Sequence, residues 1–144
     1  MTKEELDMPN TKGLPGKTLI ATSAPDGPID AVTTSYRQWG NGGRNITLDG
    51  LQPETNGSSR GVQIDFPSSA SLGQHTIPQG FPDTYSVNYF RQVGSARQSF
   101  PAKSGTLTLE SFSTANAEAS GTFDVVVTVE NTDYTLVGHF DITA

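Results

Sequence analysis

The side chains able to do acid–base or metal chemistry are few and scattered. There are two histidines, His75 and His139. His139 stands two residues before Asp141, a spacing that puts both on one face of a strand, where they could share a proton or a cation. The simpler reading is a solvated strand face, and His75 reads as an ordinary strand residue. A serine hydrolase would place its nucleophile on a tight G-x-S-x-G turn, and no such turn occurs; Ser95 and Ser104 are loop serines without that context. Asp65, Asp83, Glu110 and Asp124 could supply the carboxylate pair of a glycoside hydrolase, as the carboxylates of any acidic chain could.

Hard oxygen ligands for calcium are best represented in Ala24-Pro25-Asp26-Gly27-Pro28-Ile29-Asp30, where Asp26 and Asp30 are four apart. The segment lacks the D-x-D-x-D-G order of an EF-hand loop, and a tight turn explains Asp26-Gly27 without a metal. Calcium at Asp26 and Asp30 is therefore the one cofactor to test, and no other is expected. The chain has no cysteine, which excludes disulfides, zinc–thiolate sites and thiol nucleophiles.

The aromatic residues are the more informative set. Tyr36 and Trp39 flank the end of an expected strand that leads into Gly40-Asn41-Gly42-Gly43. In Tyr85–Arg91 the alternation assigns Tyr85, Val87 and Tyr89 to the core and leaves Phe90 on the other face. Flat apolar rings beside polar anchors bind sugars or extended peptides, so Trp39, Tyr36 and Phe90 are candidate ligand-binding residues. Core packing is the competing explanation for each, above all for a sole tryptophan.

Charge narrows the partners. Nine basic and fifteen acidic residues give a formal net charge of −6. The arginines Arg37, Arg44, Arg60, Arg91 and Arg97 form no run, so neither nucleic acid nor an anionic membrane is an expected partner. No apolar stretch approaches the roughly 18 residues of a spanning helix. The first residues lack the basic and apolar regions of a signal peptide. The expected location is the cytoplasm if Met1 is the native start, and outside the cell if a leader was removed.

These side chains must be positioned by β structure. Residues 1–16 combine charges with Pro9, Gly13, Pro15 and Gly16 and are expected to form a flexible N-terminal arm. From Lys17 onward, short apolar runs are punctuated by turn residues, and fifteen glycines and nine prolines fall largely between the runs. Expected strands are Lys17–Ser23, Ile29–Gln38, Arg44–Leu51, Gly61–Phe66, Leu72–Ile77, Tyr85–Arg91, Gly105–Ser113, Gly121–Glu130 and Tyr134–Thr143, the last two joined by a loop at Asn131–Asp133. About nine short antiparallel strands in one domain, residues 17–144, describe an all-β fold. A single antiparallel β-sandwich is favoured over a small closed β-barrel by the Gly-rich hairpins and a Pro-rich crossing segment.

Several strand motifs also carry a resemblance. They are Leu72-Gly73-Gln74-His75-Thr76-Ile77, Tyr85, Ser104-Gly105-Thr106-Leu107-Thr108-Leu109, Ser120-Gly121-Thr122-Phe123-Asp124 and Gly138-His139-Phe140-Asp141-Ile142. Together residues 72–143 resemble small uncharacterised bacterial β-sandwich proteins. The resemblance implies the fold and assigns no site residue.

The expected function is a non-catalytic binding or interaction module that engages a protein partner through loops or a strand edge, with a homodimer through that edge as one form. A carbohydrate-binding module using the surface aromatics is the alternative, and a hydrolase or calcium-binding domain is a further one.

Overall fold

Strict alternation of apolar and polar residues, with turn residues between the runs, leaves the chain little choice but strands. The computed structural model describes residues 16–144, so the arm expected over residues 1–16 lies outside the described residues except for Gly16. Ten strands follow: β1 (Lys17–Ser23), β2 (Ile29–Asp30), β3 (Thr33–Trp39), β4 (Asn45–Pro53), β5 (Ser58–Pro67), β6 (Gly73–Thr76), β7 (Ser86–Val93), β8 (Ala96–Ser113), β9 (Glu118–Val129) and β10 (Thr132–Thr143). They form one antiparallel sheet in the order β2-β1-β10-β9-β8-β7-β5-β4-β3, with β6 added on β8, curled into a half-barrel. There is no α-helix among the described residues. None of them therefore forms a helix long and apolar enough to cross a membrane.

The curl is made at β8. Its first part, Ala96–Pro101, pairs with β7, and its second part, from Ala102 to Ser113, pairs with β9. Pro101 cannot donate to a ladder, and the register to β9 slips between Ala102 and Ser104. Gly105 follows at φ +127°, where an added Cβ would lie 2.3 Å from the Asp124 carbonyl oxygen. A missing donor, a bulge and a glycine thus turn one long strand through the corner between two arms of the sheet.

Beside the early start of β8, which takes in Ser104 where a loop serine was expected, two further boundaries differ from the sequence expectation for a clear local reason. The run Ile29–Gln38 breaks at Ala31-Val32, because Ala31 N–H bonds to the Leu19 carbonyl on β1 while Val32 N–H bonds to Leu51 on β4. The chain there leaves one end of the sheet and joins the other. The β9–β10 hairpin turns at Glu130-Asn131 rather than through Asn131–Asp133, with φ of +53° and +66° and Val129 opposite Thr132. Two consecutive left-handed residues match the right-handed strand twist, which is the two-residue hairpin geometry.

The core lies on the inner, concave face. It takes Leu19 and Ala21 from β1, Ile46 and Leu48 from β4, Val62, Ile64 and Phe66 from β5, and Val87 and Tyr89 from β7. Leu107, Leu109, Phe123, Val125, Val127, Leu136, Phe140 and Ile142 come from β8, β9 and β10. The two Gly-x-Phe motifs interlock inside it. Gly121 is directly opposite Phe140, and Gly138 is directly opposite Phe123. Each ring lies over the opposing glycine, with Phe123 and Phe140 centroids 6.5 Å apart. Gly61 opposite Phe90 repeats the arrangement on β5 and β7. A strand glycine leaves a gap in the pleated surface, and a cross-strand ring fills it.

Candidate functional site

The strands that send Ile46, Leu48, Val62, Ile64, Phe66 and Val87 inward must send the alternate residues outward. On this outer face the register aligns Arg37, Thr47, Asp65 and Ser86 across β3, β4, β5 and β7. The next row is Ser35, Asp49, Gln63 and Asn88, while Trp39 pairs with Asn45 at the end of the sheet. The result is a patch of hydrogen-bonding side chains bounded by one tryptophan.

These side chains hold one another in place. Trp39 Nε1 donates to Thr47 Oγ1 at 2.9 Å, and Thr47 in turn donates to Asp65 Oδ1 at 2.6 Å. The other carboxylate oxygen of Asp65 accepts from Gln63 Nε2 and from Ser86 Oγ, both at 3.1 Å. Thr47 is buried although it belongs to the outer face, so the indole edge is tied down through a water-shielded hydroxyl. The guanidinium of Arg37 lies 5.6 Å from the centre of the Trp39 ring. A cleft of about 300 Å³ opens here, lined by Trp39, Asn45, Gln63, Asp65, Thr84 and Ser86 together with the apolar Ile46 and Phe66. Gly40, at φ +90°, lets the β3–β4 turn close on the lining residue Asn45, since an added Cβ would meet Asn45 Nδ2 at 2.6 Å.

The neighbouring row is organised by Arg97. Its Nη1 donates to Asp49 Oδ1 at 3.2 Å and to Gln63 Oε1 at 3.1 Å, and its Nε donates to Gln92 Oε1 at 2.8 Å. Asn88 Oδ1 is buried and has no hydrogen-bond partner among the described residues. Burial raises the Asp49 carboxyl above its usual range, and nearby Asp65 pushes the same way, against the pull of Arg97 and Arg37. The folded state thus favours the protonated form. Asp49 contributes stability below the unfolded carboxylate pKa, and that contribution is lost as pH rises through the folded value. Asp49→Asn is accordingly expected to raise the melting temperature at pH 7. The difference from wild type should shrink as pH falls below the carboxylate range, which thermal melts at pH 3 and pH 7 would check.

The three candidate aromatics do not share a surface. Trp39 lines the cleft at 45% exposure. Tyr36, three residues earlier on the same strand, points to the opposite face and packs against the core, its hydroxyl buried without a hydrogen-bond partner among the described residues. Phe90 is fully buried: the Arg97 guanidinium sits 3.7 Å from its ring centre and Gly61 lies beneath it. Of the candidate ligand-binding residues Trp39, Tyr36 and Phe90, only Trp39 lines the cleft among the described residues. Strand periodicity separates the first pair, and a cation covers the third ring.

The remaining candidates lie elsewhere. Asp26 stands at φ +67° in the β1–β2 turn, where Arg91 grips its carboxylate with Nε and Nη2, both at 3.0 Å, and the Tyr89 hydroxyl donates to it. Arg91 is the main reason that the Asp26 pKa is lowered. Asp30 is on β2, where its N–H bonds to Gln52 Oε1 at 2.7 Å. Among the described residues, no cluster of three or more His, Asp or Glu side chains is arranged to hold a metal ion. His75 bonds through Nε2 to the Ser71 carbonyl at 2.7 Å and stacks on Tyr85 at 4.3 Å, while His139 faces Thr122 on β9. Of Asp65, Asp83, Glu110 and Asp124, only Asp65 lines the cleft among the described residues.

Sequence reasoning missed Thr47, Asp49, Gln63, Ser86, Asn88 and Arg97. A signal for most of them was present. The pairs Thr47/Asp49, Gln63/Asp65 and Ser86/Asn88 each occupy outward positions two apart, with short hydrogen-bonding side chains where a plain solvated face would carry lysine and glutamate. Compared with family models, with curated proteins and with solved structures, the chain finds no match. The cleft must therefore be read from its own chemistry.

Proposed function

We propose that the chain is a non-catalytic binding module whose Trp39 cleft takes a hydroxyl-rich ligand of the carbohydrate class. The carrying observation is the Trp39 indole, fixed by Thr47 and lining a cleft together with Asp65, Gln63 and Ser86. A sugar presents one apolar face for stacking and a ring of hydroxyls that both donate and accept, and this lining offers a partner to each. Asp65 already accepts three hydrogen bonds, which suits an anchor that directs one remaining lone pair better than a freely moving base. This reading ranks the carbohydrate alternative above a protein partner at a strand edge, because the cleft offers a built set of groups. In the same proposal, residues 17–144 form one domain and the two arms of the sheet are the layers of a β-sandwich. Supporting contacts cross the core: Phe66 meets Phe112 edge-on at 5.0 Å, and Leu19 packs onto Gly50.

Trp39 is the sole tryptophan, so its fluorescence reports the cleft directly. Glycans positive on an array should shift that emission and protect it from acrylamide, and Trp39→Ala should weaken their binding about tenfold, near the upper value of one stacking contact. An array without positives, or a Trp39 that acrylamide cannot reach in the free protein, would overturn the reading.

A further inference from the structure

We propose that Phe81 is a second stacking ring for the same cleft, so that the ligand is an oligosaccharide lying across Trp39 and Phe81 rather than a single sugar. This inference rests on the carbohydrate reading of the cleft. Phe81 is 88% exposed, more than Val32, Leu72 or Val93. Isolated exposed apolar residues are ordinary on protein surfaces, so exposure alone assigns nothing. Its mounting and position add the rest.

The ring is carried on a loop that is closed at its base. Gln79 N–H donates to the Tyr85 carbonyl at 2.9 Å, and Tyr85 N–H returns the bond at 3.1 Å. His75 stacks on Tyr85 below this pinch, and Gln79 Nε2 bonds to the Thr76 carbonyl at 3.1 Å. Phe81 therefore projects from an anchored support, which lowers the entropy a ligand must overcome to order it. Thr84, at the other end of the loop, is a lining residue of the Trp39 cleft. Thr84 is three steps along the chain from Phe81, and a chain extends at most about 3.6 Å per step, so the two Cα atoms lie within about 11 Å. That is a span a short oligosaccharide covers. The cleft beside Thr84 combines the hydrogen-bonding side chains of Asn45, Gln63, Asp65 and Ser86 with the apolar Ile46 and Phe66, a mixture that suits the hydroxyls and the apolar ring face of a sugar chain.

The test uses an array-positive glycan and its shortened forms down to the monosaccharide, titrated calorimetrically against wild type, Phe81→Ala and Trp39→Ala. Phe81→Ala should keep the wild-type melting temperature and monosaccharide affinity while losing about tenfold on the longest glycan. Trp39→Ala should lose affinity at every length. If Phe81→Ala binds all lengths like wild type while Trp39→Ala is impaired, the second ring is refuted and the cleft stands. If the monosaccharide loses as much as the long glycan in Phe81→Ala, the two-ring span is likewise refuted. If neither variant alters binding at any length, both readings fall together.

Discussion

Gly138→Ala is expected to destabilise the protein by about 3 kcal/mol, the upper end of ordinary overpacking costs. Gly138 lies in β10 between β1 and β9. A Cβ there would stand 2.0 Å from the Ile20 carbonyl oxygen, 2.8 Å from the Ala21 Cα and 2.8 Å from the Phe123 ring. The ring could rotate away, but the backbone of β1 could yield only by breaking its ladder to β10. The urea midpoint should fall at unchanged m, since the surface exposed on unfolding stays the same. Phe123→Ala removes the other half of the motif and should cost about 3–5 kcal/mol, the range for emptying a ring-sized core site. Because the two residues touch, the double variant should lose less than the sum of the singles: the ring contact is relieved while the carbonyl contact remains. A Gly138→Ala protein that unfolds at the wild-type midpoint would contradict the interlocked Gly-x-Phe arrangement.

That arrangement shows what was legible in the sequence and where legibility stopped. Phe123, Val125, Val127 and Val129 alternate without interruption, so β9 could be placed from residues alone, and β1 was expected at Lys17–Ser23, where it lies. The two Gly-x-Phe strings were visible too, but their meaning depends on register, and only the hairpin shows that each ring meets the other string's glycine. The first part of β8 lies outside the expected strand Gly105–Ser113, and its residues hide it: Arg97, Gln98 and Ser99 are polar on both faces, and Pro101 normally ends a strand. In the site, Trp39 was found as a single unusual residue. Tyr36 was grouped with it by proximity in sequence, although three steps along a strand reverse the face. Phe90 was placed on the outer face by its alternation, yet its cover comes from Arg97 on the neighbouring strand and from the missing side chain of Gly61. Asp65, Thr47, Ser86 and Gln63 form a site only when β4, β5 and β7 lie side by side, and no local pattern records that order.

Arg60→Met is expected to cost a comparable 3 kcal/mol or so, the scale for stripping a buried charged donor from its acceptors. Arg60 shares the inward phase of Val62 and Ile64 and is only 6% exposed at the end of the core. Its Nη1 donates to the carbonyls of Pro25 and Gly27 at 3.0 and 2.7 Å, its Nη2 to that of Pro28 at 2.7 Å, and its Nε lies 3.3 Å from Glu54 Oε2. One guanidinium thus satisfies the turn that joins β1 to β2, and methionine would fill the space while leaving three carbonyls without a donor. Asp26, gripped by Arg91 and Tyr89, latches the same turn from its other side. This second clasp makes the stability depend on pH at both extremes. The Asp26 pKa is lowered, so its contribution is present above the unfolded carboxylate value and is lost as pH falls through the folded one. Burial and the Asp26 charge push the Tyr89 hydroxyl up to about 12. Its contribution is complete below the ordinary tyrosine value near 10 and is lost as pH rises toward 12. Urea midpoints of the wild type should therefore hold between neutrality and about pH 9 and decline steeply by pH 11, whereas Tyr89→Phe, already lacking the hydroxyl, should start lower and decline less. Parallel alkaline limbs in the two proteins would show that the clasp does not set the alkaline stability. A Tyr89→Phe protein as stable as wild type at neutrality would show that the hydroxyl's bond to Asp26 adds nothing to the turn that Arg60 already holds.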